Sequence, residues 1–485
     1  MKFNKLSYIV MLTVLFVLSC SGIAFGSEEH SIGETLPVYS IIPFVGMLLS
    51  IAIIPLVKGH WWEEHKWKVS LFWSLTFIIP FAVGYSTKTA IVHFLEVVLL
   101  DYLPFIVLLF GLFVVAGGII LRGTLVGSPK VNLILLLIGT LLASWIGTTG
   151  ASMVLIRPVI RANAWRSKKA HVIIFFIFLV SNIGGCLTPV GDPPLFLGFL
   201  RGVPFFWTMH LLPMMIFNTV ILLLLFFVMD KKLYNKEISV GNIPPDAHDQ
   251  NMAKEPLRVE GVHNLIFLAM IIGAVILSGI LAGVPSFADQ ATGELYGLHI
   301  FDEVSMPYTY IIQMAIILIA ALLSNKTTNQ IIRKDNNFTY DAIIEVATLF
   351  IGIFITMIPA LAILNAKGAS LGLDSPWQFF WATGALSSFL DNAPTYLVFM
   401  TTAGSMNLPG LATMVGSIAP ELLIAVSAGA VFMGANTYIG NAPNFMVKSI
   451  AEFESIKMPS FFGYMGWSLA ILVPLFVLDT FIFLL

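Results

Sequence analysis

Two carboxylates, Asp192 and Asp391, stand inside stretches that are otherwise mostly apolar. The first lies in SNIGGCLTPVGDPPLFLGFL (181–200), the second in LDNAPTYLVFMT (390–401). A carboxylate at membrane depth is costly, so its presence there is by default functional. Such a group can carry a proton, or it can give the proton up to a nearby cation such as Na+. That competition is what proton-coupled ion exchange needs. The same positions fit a plainer role. Asp192 precedes Pro193-Pro194 and Asp391 precedes Asn392-Ala393-Pro394, and Asp before a proline-led helical restart is a good N-cap. Coupling and capping both remain open for each residue.

Hydroxyls and amides surround the two carboxylates. Thr148 and Thr149 sit in GTTGAS, Ser181 and Asn182 open the first stretch, Asn392 and Thr395 follow Asp391, and Asn436 and Thr437 lie in ANTYIGNAPN. A small cation needs hard oxygen donors, and the side-chain oxygens of Asn182, Asn392 and Asn436 are of that kind. The competing reading is that these amides only satisfy the ends of helices. No zinc, P-loop or dinucleotide motif occurs, so no cofactor is expected, with Na+ entering only as a transported or coupling ion. No nucleophile–base pair or metal-ligand set appears at helical spacing, which argues against an enzyme.

The elements that must hold these residues are set by composition. Of 485 residues, 58% are hydrophobic and 11% charged, with a mean hydropathy of +0.92. This implies an all-α polytopic membrane protein. Residues 1–26 read as a basic start, an apolar core and a small-residue exit, the pattern of a secretory signal peptide. The expected home is the bacterial inner (cell) membrane with the mature N-terminus outside. Two cysteines, Cys20 and Cys186, give no disulfide framework. About ten spans are expected, near 36–57, 68–85, 102–121, 170–200 (broken), 204–229, 262–283, 306–324, 340–364, 418–450 (broken) and 461–485. Segments 130–160 and 376–404 are interrupted by polar residues and read as helix pairs that enter and leave on one side. Under this layout the outer loops hold only Lys88, Arg201 and Lys367, while the other Lys and Arg beyond the leader fall inside, as the positive-inside rule requires.

The two halves repeat an order. FGLFVVAGGIIL, GTTGASMVLIRP and SNIGGCLTPVGDPPLFL are echoed by IGIFITMIPALAIL, LDNAPTYLVFMT and ANTYIGNAPNFMV. Each set is a helix, an interrupted hairpin and a broken helix, and the layout starts the two sets in opposite directions. Paired, Gly/Pro-interrupted helices in inverted repeats are a signature of secondary transporters, with the substrate site at the breaks. The expected organisation is N-terminal helices (27–101), a first inverted repeat (102–229), a cytoplasmic linker (230–261), connecting helices (262–339) and a second inverted repeat (340–485).

The motifs SNIGGCLTPVGDPP and ANTYIGNAPN, each preceded by a polar-tipped hairpin, resemble the ion transporter superfamily over roughly residues 100 to 450. That group includes NhaD-type sodium/proton antiporters, arsenite permeases and citrate or dicarboxylate transporters. Gly-Asp-Pro-Pro with Asp-Asn-Ala-Pro-Thr is most similar to the NhaD-type branch. The resemblance implies re-entrant hairpins, broken helices, a homodimer and an elevator-like alternating-access motion. Thr148-Thr149-Gly150 departs from the family's Ser-Asn-Thr pattern, which weakens the fit to sodium on that side. The leading expectation is a Na+/H+ antiporter, with Na+, H+ and Li+ as its small-ion partners, the lipid bilayer as its solvent and no nucleic acid. The alternative is a carrier of citrate or another carboxylate coupled to Na+ or H+.

Overall fold

The computed structural model describes residues 32–241, 255–289 and 293–485. The expected signal peptide and residues 242–254 of the expected linker lie outside the described residues. Among the described residues, nine helices are long and apolar enough to cross a membrane, and two shorter apolar helices accompany them. The chain is an all-α polytopic membrane protein. Its few strands form short antiparallel two-stranded ladders, such as Ile120–Arg122 with Arg258–Glu260.

The chain divides into two compact units. Among the described residues, the first comprises 32–106, 280–289, 293–312 and 339–366. Its core gathers Leu36, Phe77, Phe81, Ala90, Ile355 and Ile358. Both expected N-terminal spans are present, at Val38–Pro55 and Val57–Gly84. The expected spans 36–57 and 68–85 are not separated by a loop, because Ile42–Gly84 is helical throughout except at Lys58 (φ −139°, ψ 57°). The kink falls just after Pro55, which lacks an N–H and crowds the preceding turn. The charged segment after it stays helical. Lys66 there pairs with Glu345 at 2.7 Å, and the Ser70 hydroxyl donates to the Thr348 carbonyl at 2.7 Å.

Among the described residues, the second unit comprises 107–241, 255–279, 313–338 and 367–485. In it the helices Pro129–Ile146 and Thr148–Ala162 meet at a single residue, Gly147 (φ 78°, ψ 148°). That combination is open to glycine and strained for other residues. The chain doubles back there. The N–H of Gly127 donates to the Ala162 carbonyl at 2.7 Å, and Asn132 and Asn163 exchange amide hydrogen bonds of 2.9 and 2.7 Å. A second pair is formed by Pro376–Ser387 and Asn392–Ser405. Its first helix opens with a capping box between Ser375 and Gln378.

Each pair is followed by an interrupted helix. Ala170–Leu179 stops before the restart at Pro193–Leu200, and Pro420–Met433 stops before Ala442–Phe453. The restarts carry proline in their first turn, where its missing N–H is no loss. The residues just before them have nearly equal backbone angles. Asp192 has φ −144° and ψ 142°, and Asn441 has φ −150° and ψ 139°.

The structure also describes both ends of the stretch expected as a linker. The helix Leu212–Ser239 runs well past residue 229. Asp230 and Glu237 lie seven positions apart, on one face at helical spacing, and both bind the fully buried Arg166, at 2.5 and 2.9 Å. A buried guanidinium needs such partners, and meeting it keeps this polar stretch helical. The linker's far end, Arg258–Glu260, is the second strand of the ladder with Ile120–Arg122.

The bend at Gly147 sets a test. Gly147→Ala should lower the melting temperature of the purified protein, by strain of about 1–3 kcal/mol. Gly273→Ala, whose added methyl meets nothing within 4 Å, should not. Equal melting of the two variants in a thermal-shift assay would remove the bend's role.

Candidate functional site

Ending a helix inside apolar surroundings leaves N–H and C=O groups that must find partners within the protein. At both breaks, serine and threonine side chains supply them. Ser144 donates to the Gly184 carbonyl at 2.5 Å and accepts from the N–H of Leu187 at 3.0 Å. Thr188 donates back to the Ser144 carbonyl. In the other half, Ser387 donates to the Ala430 carbonyl at 2.6 Å, and Ser388 donates to the carbonyls of Gly384 and Met433 at 2.7 and 3.1 Å. Thr437 donates to the Ser388 carbonyl at 2.5 Å, as Thr188 does to Ser144.

This register pairs residues across the halves. Thr188, Gly191 and Asp192 match Thr437, Gly440 and Asn441, and Ser144, Gly147 and Thr148 match Ser388, Asp391 and Asn392. Asp192 and Asp391, which the sequence treats alike, therefore do not occupy matching places. The partner of Asp192 is Asn441, and that of Asp391 is Gly147.

Asp192 is 1% exposed. Its Oδ1 accepts from the Thr148 hydroxyl at 2.8 Å and from the Asn441 amide at 3.1 Å. Its Oδ2 accepts from the Asn392 amide at 2.5 Å. Asp192 and Asn441 are the N-cap residues of their helices, and Thr148 and Asn392 are the first residues of theirs. Four helix N-termini thus converge on one carboxylate. Each carries the positive end of a helix dipole, and the groups that donate to Asp192 are the side chains of Thr148, Asn392 and Asn441. The Thr148 N–H itself donates to the Gly191 carbonyl at 2.8 Å.

The amide of Asn441 also donates to the Ser181 carbonyl at 3.1 Å and to Oδ1 of Asn182 at 3.2 Å. Asn182 donates to the Ile177 carbonyl at 2.8 Å and to Oδ1 of Asn444 at 2.7 Å. Asn444 closes the web by donating to the carbonyls of Gly434 and Thr437, at 2.8 and 2.9 Å. Ser181 shares a hydroxyl hydrogen bond of 2.9 Å with Ser152. Asn436 donates to the Ser388 hydroxyl at 2.9 Å. The side-chain oxygens of Asn392 and Asn436 are buried without a hydrogen-bond partner.

Other expected residues stand apart from this web. Asp391 is half-buried and caps its own helix, accepting from the Ala393 N–H at 3.0 Å. The Thr395 hydroxyl returns to the Asp391 carbonyl at 3.0 Å. Thr149 is half-buried, and no hydrogen bond among the described residues joins it to the web. No group of three or more His, Cys, Asp and Glu side chains suited to a metal ion occurs among the described residues. Sequence reasoning missed Asn441, Asn444, Ser144 and Ser388. A signal for Asn441 was present: Thr188-Pro-Val-Gly-Asp-Pro-Pro194 and Thr437-Tyr-Ile-Gly-Asn-Ala-Pro443 share the pattern Thr-x-x-Gly-(Asp/Asn)-x-Pro.

Residues 33–484 match the model of a family described as "putative citrate transport" (CitMHS_2). No curated protein matches the chain. Spanning helices and this match together define a secondary-active membrane transporter of the ion-transporter superfamily, with transport rather than catalysis as its task. The chain belongs to the citrate-transport-like CitMHS_2 family. That assignment agrees better with the carboxylate alternative than with the Na+/H+ antiporter the sequence put first.

The hub role of Asn441 is open to measurement. Asn441→Leu removes the amide whose two N–H groups are shared among the Ser181 carbonyl, the Asn182 oxygen and Asp192, and each buried acceptor left unsatisfied costs about 1–3 kcal/mol. The variant should melt several degrees lower than the parent, while Thr149→Val should stay within about 0.5 kcal/mol. A parent-like melt for Asn441→Leu would show the web to be dispensable.

Proposed function

We propose that the chain carries a citrate-type carboxylate across the membrane by alternating access, coupled to proton movement through Asp192. The observation that carries this reading is the convergence of four helix N-termini on the Asp192 carboxylate. Helix N-termini are ready anion sites. Here the anion in place belongs to the chain itself. A proton on Asp192 removes the internal negative charge, and the hydroxyl of Thr148 and the amides of Asn392 and Asn441 become free to receive a substrate carboxylate. Loss of the proton lets Asp192 reclaim its donors and expel the substrate. Binding of substrate and proton is then linked, as symport requires. Asp192 is almost fully enclosed, so access needs the helix pairs or the breaks to part.

The same reading takes the two helix pairs as re-entrant hairpins and the two halves as inverted repeats. Matched hydrogen bonds at Ser144/Thr188 and Ser388/Thr437 support the repeat. The length of Pro129–Ile146, enough for a span by itself, is reconciled by its return through Thr148–Ala162 to the Asn132–Asn163 contact. Under this reading the protein works as a homodimer in the cell membrane.

One observation favours a cation at the site. The unpartnered oxygens of Asn392 and Asn436 are hard donors in a buried place. Na+ held there, with Thr437, Ser181 and Asn182 bracing the surrounding backbone, is the form in which sodium coupling or Na+/H+ antiport fits. Asp391, capping the adjacent helix, would add its charge to that side.

Purified protein in liposomes decides between these. An inward proton gradient should drive saturable citrate uptake, and Asp192→Asn should reduce it to the level of protein-free liposomes while the protein remains folded. Asn caps as well as Asp, so a pure cap predicts parent-like transport. Na+-dependent proton movement in the absence of any carboxylate, with no citrate uptake, would restore the antiporter.

A further inference from the structure

A second carboxylate is enclosed far along the chain from Asp192. Asp479, near the end of the helix Phe461–Asp479, has no exposed surface. The structure places its side chain inward. Its one hydrogen-bond donor is the amide of Asn218, in the helix Leu212–Ser239, which lies 2.9 Å from both carboxylate oxygens. The same amide donates to the Met214 carbonyl at 2.8 Å. The side-chain oxygen of Asn218 is buried and has no partner.

These two deficits match. An ionised carboxylate only accepts hydrogen bonds and has about four lone-pair sites to fill. A single amide cannot fill them. The Asn218 oxygen, beside it, lacks a donor. A proton on Asp479 repairs both faults. The carboxyl O–H donates to the amide oxygen after a small rotation, the amide N–H donates to the remaining carboxyl oxygen, and no acceptor is left bare.

Nothing else nearby supplies compensating charge. Along the Leu212–Ser239 helix the nearest ionisable side chains are His210 before it and Asp230 after it, each more than about two turns from Asn218. Asp230 is bound to Arg166 and His171. The adjoining helix Pro376–Ser387, which reaches Thr480 through a 3.0 Å hydrogen bond from the Trp381 indole, has no charged residue. On the last helix the other titratable side chain is Tyr464, whose hydroxyl donates to the Ala435 carbonyl.

The pair also joins the supports of both breaks. Just before Leu212–Ser239, Thr208 donates to the Leu187 carbonyl at 2.7 Å. On the last helix, Tyr464 and Ser468 donate to the carbonyls of Ala435 and Asn436, at 2.8 and 2.7 Å. We propose that Asp479, paired with Asn218, is a second proton-carrying group of the transport cycle. Its proton passes to water when the helices part and is regained from water on the other side. Losing it leaves the carboxylate short of donors and weakens the link between the two supports.

This inference rests on the reading of the chain as a proton-coupled carrier. The test is the proton-to-substrate ratio, measured in liposomes with the membrane potential clamped at zero and labelled citrate as probe. Each coupled proton sustains about a tenfold substrate gradient per pH unit. Asp479→Asn should therefore reach a steady accumulation about tenfold lower than the parent at a gradient of one pH unit, with uptake still present. Parent-like accumulation would overturn the proposal and leave Asp479 a structural residue. No proton-driven uptake by the parent would overturn both this proposal and the carrier reading. Should Asp479→Asn fail to fold, infrared difference spectra of the parent and of Asp479→Glu on citrate addition serve instead. A protonated-carboxyl band that appears or vanishes, and shifts in the Glu variant, supports the proposal; its absence in both refutes it.

Discussion

The backbone of this protein is bound by one constraint: where it stops being helical among apolar neighbours, every freed N–H and C=O must be met from within. The two breaks meet it in the same way. A serine at the end of the incoming helix of each pair ties down the first half of the broken helix, and a threonine three residues before Gly-Asp or Gly-Asn ties back to that serine. The helix pairs are therefore not accessories to the breaks. Without Ser144 and Ser388 the interruptions would hold bare carbonyls, and the residues that meet at Asp192 would have no fixed place.

Legibility in the sequence followed how local the cause was. Proline and glycine act on the chain beside them, so the interruptions within 170–200 and 418–450 could be read directly, while the bend at Gly147 fell one residue before the polar Thr148-Thr149 pair that marked the interruption. The apolar runs gave the long helices. The kink at Lys58 was less readable, because a polar run between two apolar ones looks like a loop even when it stays helical. The extension of Leu212–Ser239 through Asp230 and Glu237 depended on Arg166, some sixty residues earlier, and no local pattern announces such a pairing. At the site, Asp192, Asn182 and Asn392 were visible as polar residues out of place. Asn441 and Asn444 were passed over because amides near a helix start look like ordinary caps. What singles out Asn441 is its register with Asp192, which shows only when the halves are aligned on Thr188 and Thr437.

The family match and the hydrogen-bond geometry bear on substrate from different directions. Resemblance of short motifs drew attention to Asp192 as a cation ligand. The geometry surrounds that carboxylate with donors from three other helix ends, which is an anion's environment. Membership in a citrate-transport-like family agrees with the second view. The unpartnered oxygens of Asn392 and Asn436 keep a cation in the picture beside the anion, and a polyanion crossing a membrane benefits from a companion of opposite sign.

The amides that lace the breaks together have a mechanical consequence. Asn441 binds Ser181, Asn182 and Asp192, Asn182 binds Asn444, and Asn392 binds Asp192. Pulling one break away from the other would rupture the four of these bonds that join the two broken helices, at about 1–3 kcal/mol for each buried group left unsatisfied. Such a joint behaves as a weld rather than a hinge. Amide protons at the two breaks should consequently exchange with solvent as a single slow class, a unit that resists being drawn apart at its middle.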